Sequence, residues 1–328
     1  MGKILVTGAT GFTGSNICRR LIETGEDVVA FVRPGPQVAS LQAMGVECRI
    51  VDIKDADSVN QHFDGIDRVY HIAAAYRTEH VDTMEFFQVN VEATRNLLNA
   101  AKNAGVQRFV HSSTVGVQGE ITEPPAAEDY RFEPGDHYQE SKKEGELLAL
   151  RYCAEGLPVS VVRPVGIYGP GDTRFLKLFR PISKKMFVMI GSGESLYHMT
   201  YIDDLVDGFI LAGTKPEAVG EVFTIGGERY TTLRELVDTI AEVLGKPRPF
   251  LRVPFKPVYT ASVLCDAICR PLGISPPLYP RRVEFFSKSR AFSIEKAQRM
   301  LGYAPKVGLR EGLARTAAWY RQEGLIAS

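Results

Sequence analysis

The chain predicts a doubly wound, parallel α/β sheet followed by a smaller C-terminal α/β region. Three observations carry that expectation. Short apolar runs alternate with helical stretches through about residue 162. The runs are continuous and rich in Val and Ile, which implies burial on both faces of a parallel sheet. The chain has 328 residues, 45% of them hydrophobic, ample for one large or two modest domains.

The elements follow in order. Ile4-Leu5-Val6 is a short β-type run. Phe12 to Thr24 reads as a helix: Ile17, Cys18 and Leu21 share a face, and Gly25 sits where a helix stops. Val28–Val32 is a second strand, Gln37–Met44 a short helix ended by Gly45, and Glu47–Val51 a third strand. Asp67–Ile72 is a fourth. A long helix is expected from about Met84 to Ala104, ending at Gly105. Arg108–His111 is a fifth strand, Tyr138–Glu155 a helix ended by Gly156, and Val159–Val162 a sixth strand. From about Pro170 prolines become frequent, and helices such as Thr231–Leu244 alternate with short strands such as Val222–Ile225. The expected division is 1–169 for the first domain, with later segments returning to it, and 170–328 for the smaller region.

Composition removes several function classes. Lys+Arg and Asp+Glu number 39 each, so the total charge makes no electrostatic case for nucleic acid or an anionic membrane. The five cysteines form no disulfide-like framework, and Cys265 and Cys269 lack the partners of a zinc site; no metal is expected. Reduced thiols fit a cytoplasmic setting. The apolar run after Met1-Gly2-Lys3 is too short for a signal peptide, and no run reaches the length of a membrane span.

Three motifs carry chemistry. "VTGATGFTGS", Val6–Ser15, places Gly8, Gly11 and Gly14 between a buried strand and a helix. Its spacing is Gly-x-x-Gly-x-x-Gly rather than Gly-x-Gly-x-x-Gly. The physical logic is the same: small residues let the backbone approach a pyrophosphate, and the helix N-terminal amides from Gly11 through Phe12 to Thr13 can hydrogen-bond it. A tight turn with no ligand is the competing reading of the glycines alone. In "YQESKKE", Tyr138 and Lys142 are four apart on one helix face. A free phenol titrates at about 10 and is a poor base at neutral pH. A neighbouring ammonium favours the phenolate and brings the value toward the working range. "HSSTVG", His111–Gly116, puts three hydroxyls at the end of the fifth strand, where ligands sit in open α/β sheets. Capping of the loop backbone is their other use.

Together these residues resemble the extended short-chain dehydrogenase/reductase family, also called the NAD(P)-dependent epimerase/dehydratase family. The carriers are "TGATGFTG" (7–14), "VDI" (51–53), "HIAAA" (71–75), "VNVEATRNLL" (89–98), "HSST" (111–114), "YQESK" (138–142), "VRPVGIYGPGD" (162–172) and "YIDDLVDGF" (201–209). The resemblance covers almost the whole chain and implies a Rossmann-type fold. It implies Tyr138 as general acid/base, Lys142 as its tuner and a ligand of the nicotinamide ribose, and Thr114 as a hydrogen-bond partner of the substrate oxygen, with Ser113 as the neighbouring substitute. Gly8, Gly11, Phe12, Thr13 and Gly14 would hold the cofactor phosphates. Asp52 and Ile53 would flank the adenine, and Ala73, Ala74, Ala75 and Ser112 would line the cofactor. Pro164 and Ile167 would lie by the nicotinamide. Asn90 would brace the sheet.

The second strand ends at Val32 with Arg33 next, where NAD-preferring relatives usually carry Asp or Glu. An unopposed guanidinium suits a ribose 2′-phosphate, so NADP is the expected cofactor; Arg33 stacked on the adenine would leave NAD. Val115-Gly116 replaces the Asp-Glu pair of dehydratases. Tyr197-His198-Met199 replaces the Arg-Asp-Phe of nucleotide-sugar epimerases, and a packed surface role for His198 is favoured over a phosphate contact. Val253–Leu272 is apolar and helix-like and resembles the corresponding region of 3β-hydroxysteroid and sterol dehydrogenases; "FSIEKAQRMLGYAP" (292–305) resembles theirs too, a feature many sugar epimerases share, and the chain as a whole is similar to these and to dihydroflavonol-reductase-like members. Val253–Leu272 would either meet substrate or pack on its own domain. The expected activity is hydride transfer at a secondary alcohol or ketone of a bulky, partly apolar substrate. The alternatives are a nucleotide-sugar 4-epimerase with bound NAD and a dinucleotide-sensing protein, the latter having no use for Thr114, Tyr138 and Lys142. The resemblance implies a homodimer built from the helices Met84–Ala104 and Tyr138–Glu155; Phe86, Phe87 and Val91 on one and Leu147, Leu148 and Tyr152 on the other support it, with Leu148 taken as outward-facing, and the alternative is that all six face the sheet.

Overall fold

The computed structural model describes residues 2–76 and 83–327. Its first strands are β1 (Lys3–Thr7), β2 (Val28–Val32), β3 (Glu47–Ile50), β4 (Ile66–His71), β5 (Arg108–Ser112) and β6 (Val159–Pro164). The helices between them are α1 (Phe12–Glu23), α2 (Gln37–Ala43), α3 (Ala56–Gln61), α4 (Thr83–Phe87), α5 (Ala93–Asn103) and α6 (His137–Ala154). Two hydrophobic clusters sit on opposite faces of the sheet. Ile4, Val6, Val28 and Ala30 point into one; Leu5, Val29, Phe31 and Val69 point into the other. This is why β2 is apolar at every position, and why the apolar residues of the neighbouring strands run consecutively: side chains alternate between two covered faces.

The rest of the chain begins with β7 (Gly166–Tyr168), α7 (Leu176–Ser183), β8 (Met189–Ile190), β9 (Leu196–Tyr201), α8 (Ile202–Thr214) and β10 (Val222–Ile225). It continues with β11 (Tyr230–Thr232), α9 (Leu233–Val243), β12 (Arg252–Val253), α10 (Phe255–Cys269), α11 (Pro280–Glu284), α12 (Glu295–Leu301) and α13 (Leu309–Gln322). The main sheet has seven strands in the order β10-β6-β5-β4-β1-β2-β3, and its described pairings are parallel. The order reverses between β1 and β4, which opens a crevice at their carboxyl ends. β10 lies beyond the 170 boundary yet completes this sheet beside β6. The remaining strands form two small sheets, β11-β9-β7 and β12-β8, over the crevice's far end.

Several expectations are corrected. The Met84–Ala104 helix is interrupted: residues Gln88–Glu92 form a π-turn between α4 and α5. Such a turn widens one helical repeat, and here it aims Asn90 inward. Asn90 Oδ1 accepts from the Ala75 amide at 2.9 Å, and its Nδ2 donates to Ser141 Oγ at 2.9 Å, tying the loop after β4 to α6. Leu148 is 4% exposed and belongs to the core, as do Val91 and Tyr152; Leu147 is the outward residue on α6, 42% exposed. A side chain at position 148 has the sheet, not solvent, in front of it. His198 is buried rather than on the surface, with Nε2 2.9 Å from the Gly227 carbonyl oxygen. Asp204 accepts from the Lys306 and Val307 amides, so that carboxylate of "YIDDLVDGF" holds the C-terminal segment.

Candidate active site

The glycine turn is built by close approach. Gly8 has φ +69°, and a Cβ there would stand 2.7 Å from the Ala73 amide nitrogen. A Cβ on Gly14 would stand 2.2 Å from the Gly8 carbonyl oxygen. The turn therefore packs backbone on backbone, and only glycine fits at both positions. Gly11 is the N-cap of α1, with no side-chain cap over the helix start. The first amides of α1 lack intrahelical acceptors and open on the crevice, which is the donor set a pyrophosphate needs. These residues fit a dinucleotide.

One cavity of about 1270 Å³ runs from this turn across the strand ends. Ligand cavities of drug-sized molecules span roughly 300–1,000 Å³, so this one has room for a dinucleotide and a further molecule. Every residue expected at the site lines it. At one end are Arg33, Asp52 and Ile53; at the turn are Gly8, Gly11, Phe12, Thr13 and Gly14. Ala73, Ala74, Ala75 and Ser112 follow; then Thr114, Tyr138, Lys142, Pro164 and Ile167. Arg33 is exposed and makes no ion pair among the described residues.

Tyr138 sits in the first turn of α6, which Asp136 caps by accepting from the Gln139 amide at 2.9 Å. Its ring is half-buried, edge-on to Tyr76 at 5.4 Å and to Phe86 at 6.1 Å. Lys142, one turn on, is buried and donates from Nζ to the Ser112 carbonyl oxygen at 2.5 Å. Burial pulls the ammonium down to about 8, and the Glu146 carboxylate pulls it back upward. Lys142 is thus fixed over the cavity as a cation with a readily lost proton. Thr114 caps the short helix Val115–Gln118, its Oγ1 accepting from the Gly116 amide at 3.1 Å. Its hydroxyl hydrogen remains to donate. Ser113 differs: its Oγ donates inward to Glu146 at 2.6 Å, away from any substrate oxygen.

Beneath these groups lies a network that the sequence reading did not single out. Glu146 receives Arg163 through two bonds, Nε at 3.0 Å and Nη2 at 2.5 Å. Arg163 also donates to the Glu128 carbonyl oxygen at 2.8 Å. Glu146 is 0% and Arg163 2% exposed. The pair joins α6 to β6, and the Ser113 bond ties in the chain just after β5, next to Thr114. The continuing spacing Tyr138–Lys142–Glu146 was its available signal. On the other side, His71 shares hydrogen bonds with Thr7 at 2.7 Å and Thr94 at 2.9 Å. Burial first and Lys142 second push its pKa to about 3, so it stays neutral. Tyr76, Gln139, Arg174 and Lys177 also line the cavity and were not foreseen.

Among the described residues, no cluster of His, Cys, Asp or Glu could hold a metal ion, and no helix is long and apolar enough to cross a membrane. Residues 4–226 match the family model of the NAD dependent epimerase/dehydratase family. Over 98% of the chain and 99% of the relative, it is 31% identical to sterol demethylase protein B of Methylococcus capsulatus. It is 33% identical to a 3-beta-hydroxysteroid dehydrogenase of Mycolicibacterium neoaurum, over 98% of the chain and 92% of the relative. Among solved structures, the UDP-glucuronic acid 4-epimerase of Bacillus cereus in complex with NAD superposes with a TM-score of 0.77 at 26% identity. That match covers 98% of this chain and 99% of the epimerase.

Proposed function

Because this chain belongs to the NAD-dependent epimerase/dehydratase family and is an enzyme, we propose that it transfers a hydride at a secondary alcohol or ketone of a bulky, partly apolar molecule. The observation that carries the reading is the cavity's continuation past Tyr138. Met186, Phe187, Tyr197, Phe285 and Phe286 wall that end. Such a wall favours a hydroxysteroid- or flavonol-like skeleton over a sugar, whose hydroxyls would lack partners there. In this reading residues 1–169 hold the dinucleotide, and 170–328 mainly enclose the substrate.

A nicotinamide dinucleotide held by the glycine turn and by Ala73, Ala74, Ala75, Pro164 and Ile167 would supply or accept the hydride. Thr114 donates a hydrogen bond to the substrate oxygen and sets its position. In the reductive direction Tyr138 Oη gives that oxygen its proton and becomes a phenolate; in the oxidative direction the phenolate takes the proton, and the Lys142 ammonium stabilises the phenolate form. Asn90 keeps the loop of Ala75 and the start of α6 in register. The test is a panel of hydroxysteroids, flavan-4-ols and UDP-sugars offered with oxidised cofactor. Net cofactor reduction with the apolar alcohols is expected. Interconversion of a UDP-sugar without net reduction would establish the epimerase instead, a reading that Arg174 and Lys177 on the cavity wall favour as phosphate ligands.

The proposed cofactor is NADP, read by Arg33. Arg33→Ala is expected to weaken NADP(H) by about tenfold or more and NAD(H) little, because only the former brings an anion to the lost cation. Equal losses in a fluorescence titration would reject the assignment. The proposed assembly is a homodimer through the outer faces of α4 to α6, with Leu147 and Met84 exposed there. Leu147→Glu should then move the light-scattering mass from dimer to monomer; a wild-type monomer would reject it.

A further inference from the structure

Seven of the chain's exposed large hydrophobic side chains fall within 25 residues around α10. They are Phe250 (89% exposed), Leu251, Val263, Leu264 (58%), Ile268 (62%), Leu272 (67%) and Ile274. Leu264, Ile268 and Leu272 follow one another at i, i+4 and i+8, a single stripe along the helix and the turn after it. Within α10, Ser262 is the buried residue. This apolar helix packs on α11 and leaves its stripe in solvent, an arrangement that marks a surface built for contact.

Charge identifies the contact. From Lys246 to Arg282 the chain carries seven basic residues and one acidic residue, Asp266, although its total charge is zero. Arg248, Arg252 and Lys256 are exposed and make no ion pair among the described residues. Lys256 stands in the first turn of α10, two turns ahead of Leu264. Arg281 is held by Asp136 at 2.8 Å, and Arg282 lines the cavity, so neither is counted toward the surface. The exposed apolar stripe is thus preceded by a cluster of cations unpaired among the described residues, a combination of apolar contact and positive charge that suits an anionic lipid surface. The whole-chain balance hides it, because the compensating acids lie elsewhere.

We propose that α10 and its flanks, Phe250 to Ile274, dock this enzyme on an anionic bilayer surface as a peripheral, non-spanning contact. The position gives the contact a use. β12 pairs with β8, α10 follows directly, and α11 packs against it; Ile190, Leu278, Val283 and the exposed Met186 of that neighbourhood line the apolar end of the cavity. Docking sets that end against the acyl region, where an apolar substrate partitions. This last step rests on the substrate reading above; the docking itself does not.

The experiment is co-sedimentation of the full chain with vesicles of phosphatidylcholine alone and of equimolar phosphatidylcholine and phosphatidylglycerol. Binding to the anionic vesicles is expected, weakened by salt and by about tenfold or more on the neutral ones. Leu264→Glu/Ile268→Glu should lose binding by about tenfold or more, and Arg252→Gln/Lys256→Gln should lose the preference for anionic lipid. Both variants should keep the wild-type melting midpoint, because the altered side chains are exposed. Wild-type protein left in the supernatant with both vesicles would overturn the proposal. So would a wild-type dimer that Leu264→Glu/Ile268→Glu converts to monomer without any vesicle binding, which assigns the stripe to a second copy. The readout needs no substrate. Docking without turnover of apolar alcohols would remove the substrate reading alone, and turnover without docking would remove this proposal alone.

Discussion

Tyr138→Phe is expected to lower turnover by about 10²–10⁴-fold while leaving cofactor affinity nearly unchanged. The substitution removes one hydroxyl and keeps the ring that meets Tyr76 and Phe86 edge-on. The helix start is capped by Asp136 and does not depend on the phenol. Lys142 keeps its bond to the Ser112 carbonyl oxygen, and the glycine turn lies on a different element. The loss should therefore fall on proton transfer and on kcat, with fluorescence titration of the nicotinamide cofactor showing binding retained. A Tyr138→Phe enzyme with near-normal turnover would remove Tyr138 from the acid/base role.

Glu146→Ala is expected to destabilise the fold by about 3–5 kcal/mol, well above the ~1 kcal/mol of an average substitution. The change strands the Arg163 guanidinium, 2% exposed, without its carboxylate, and it leaves Ser113 Oγ without its acceptor. An unpaired buried charge costs far more than the pair contributed, because neither water nor another anion replaces the lost partner. A thermal melt reads the effect as a fall of several degrees in the midpoint. Because Glu146 follows Lys142 by one turn and holds Ser113 beside Thr114, residual activity should fall as well. An unchanged melting midpoint would mean that the Arg163 charge finds another partner, and the network would lose its assigned role.

The main sheet was legible because its signal is local. A strand between two covered faces is predominantly apolar, and Val28–Val32 is so at every position in sequence and is buried throughout in structure. Helices closed by Gly25, Gly45, Gly105 and Gly156 ended within a residue or two of the expected places, because each of those glycines takes a positive φ. The π-turn at Gln88–Glu92 was not legible: its cause is the reach of Asn90 to Ala75 and Ser141, contacts between distant segments. The face of Leu148 was misjudged for a related reason. Leu147 and Leu148 are adjacent apolar residues, and only the rotation of α6 on the sheet decides which one is covered.

The site divides along the same line. Its backbone parts were readable, since a glycine that must approach Ala73 or another turn residue leaves its mark in the sequence. Tyr138 and Lys142 were singled out by one helical spacing together with the resemblance, and both line the cavity. Glu146 and Arg163 were not, because a buried ion pair needs two partners that chain order does not connect. The charge of the α10 region was obscured by averaging: a net of zero over 328 residues conceals a basic stretch of 37.

The central claim is that hydride leaves this site on a cofactor that exchanges with solution. Its most direct measurement is nicotinamide absorbance during many turnovers, with a bulky apolar secondary alcohol and oxidised cofactor in excess over the protein. The account predicts that reduced cofactor accumulates well beyond one equivalent per chain, in step with the ketone formed. Reduced cofactor that never exceeds one equivalent, while a UDP-sugar is converted to its epimer in the same preparation, would contradict it.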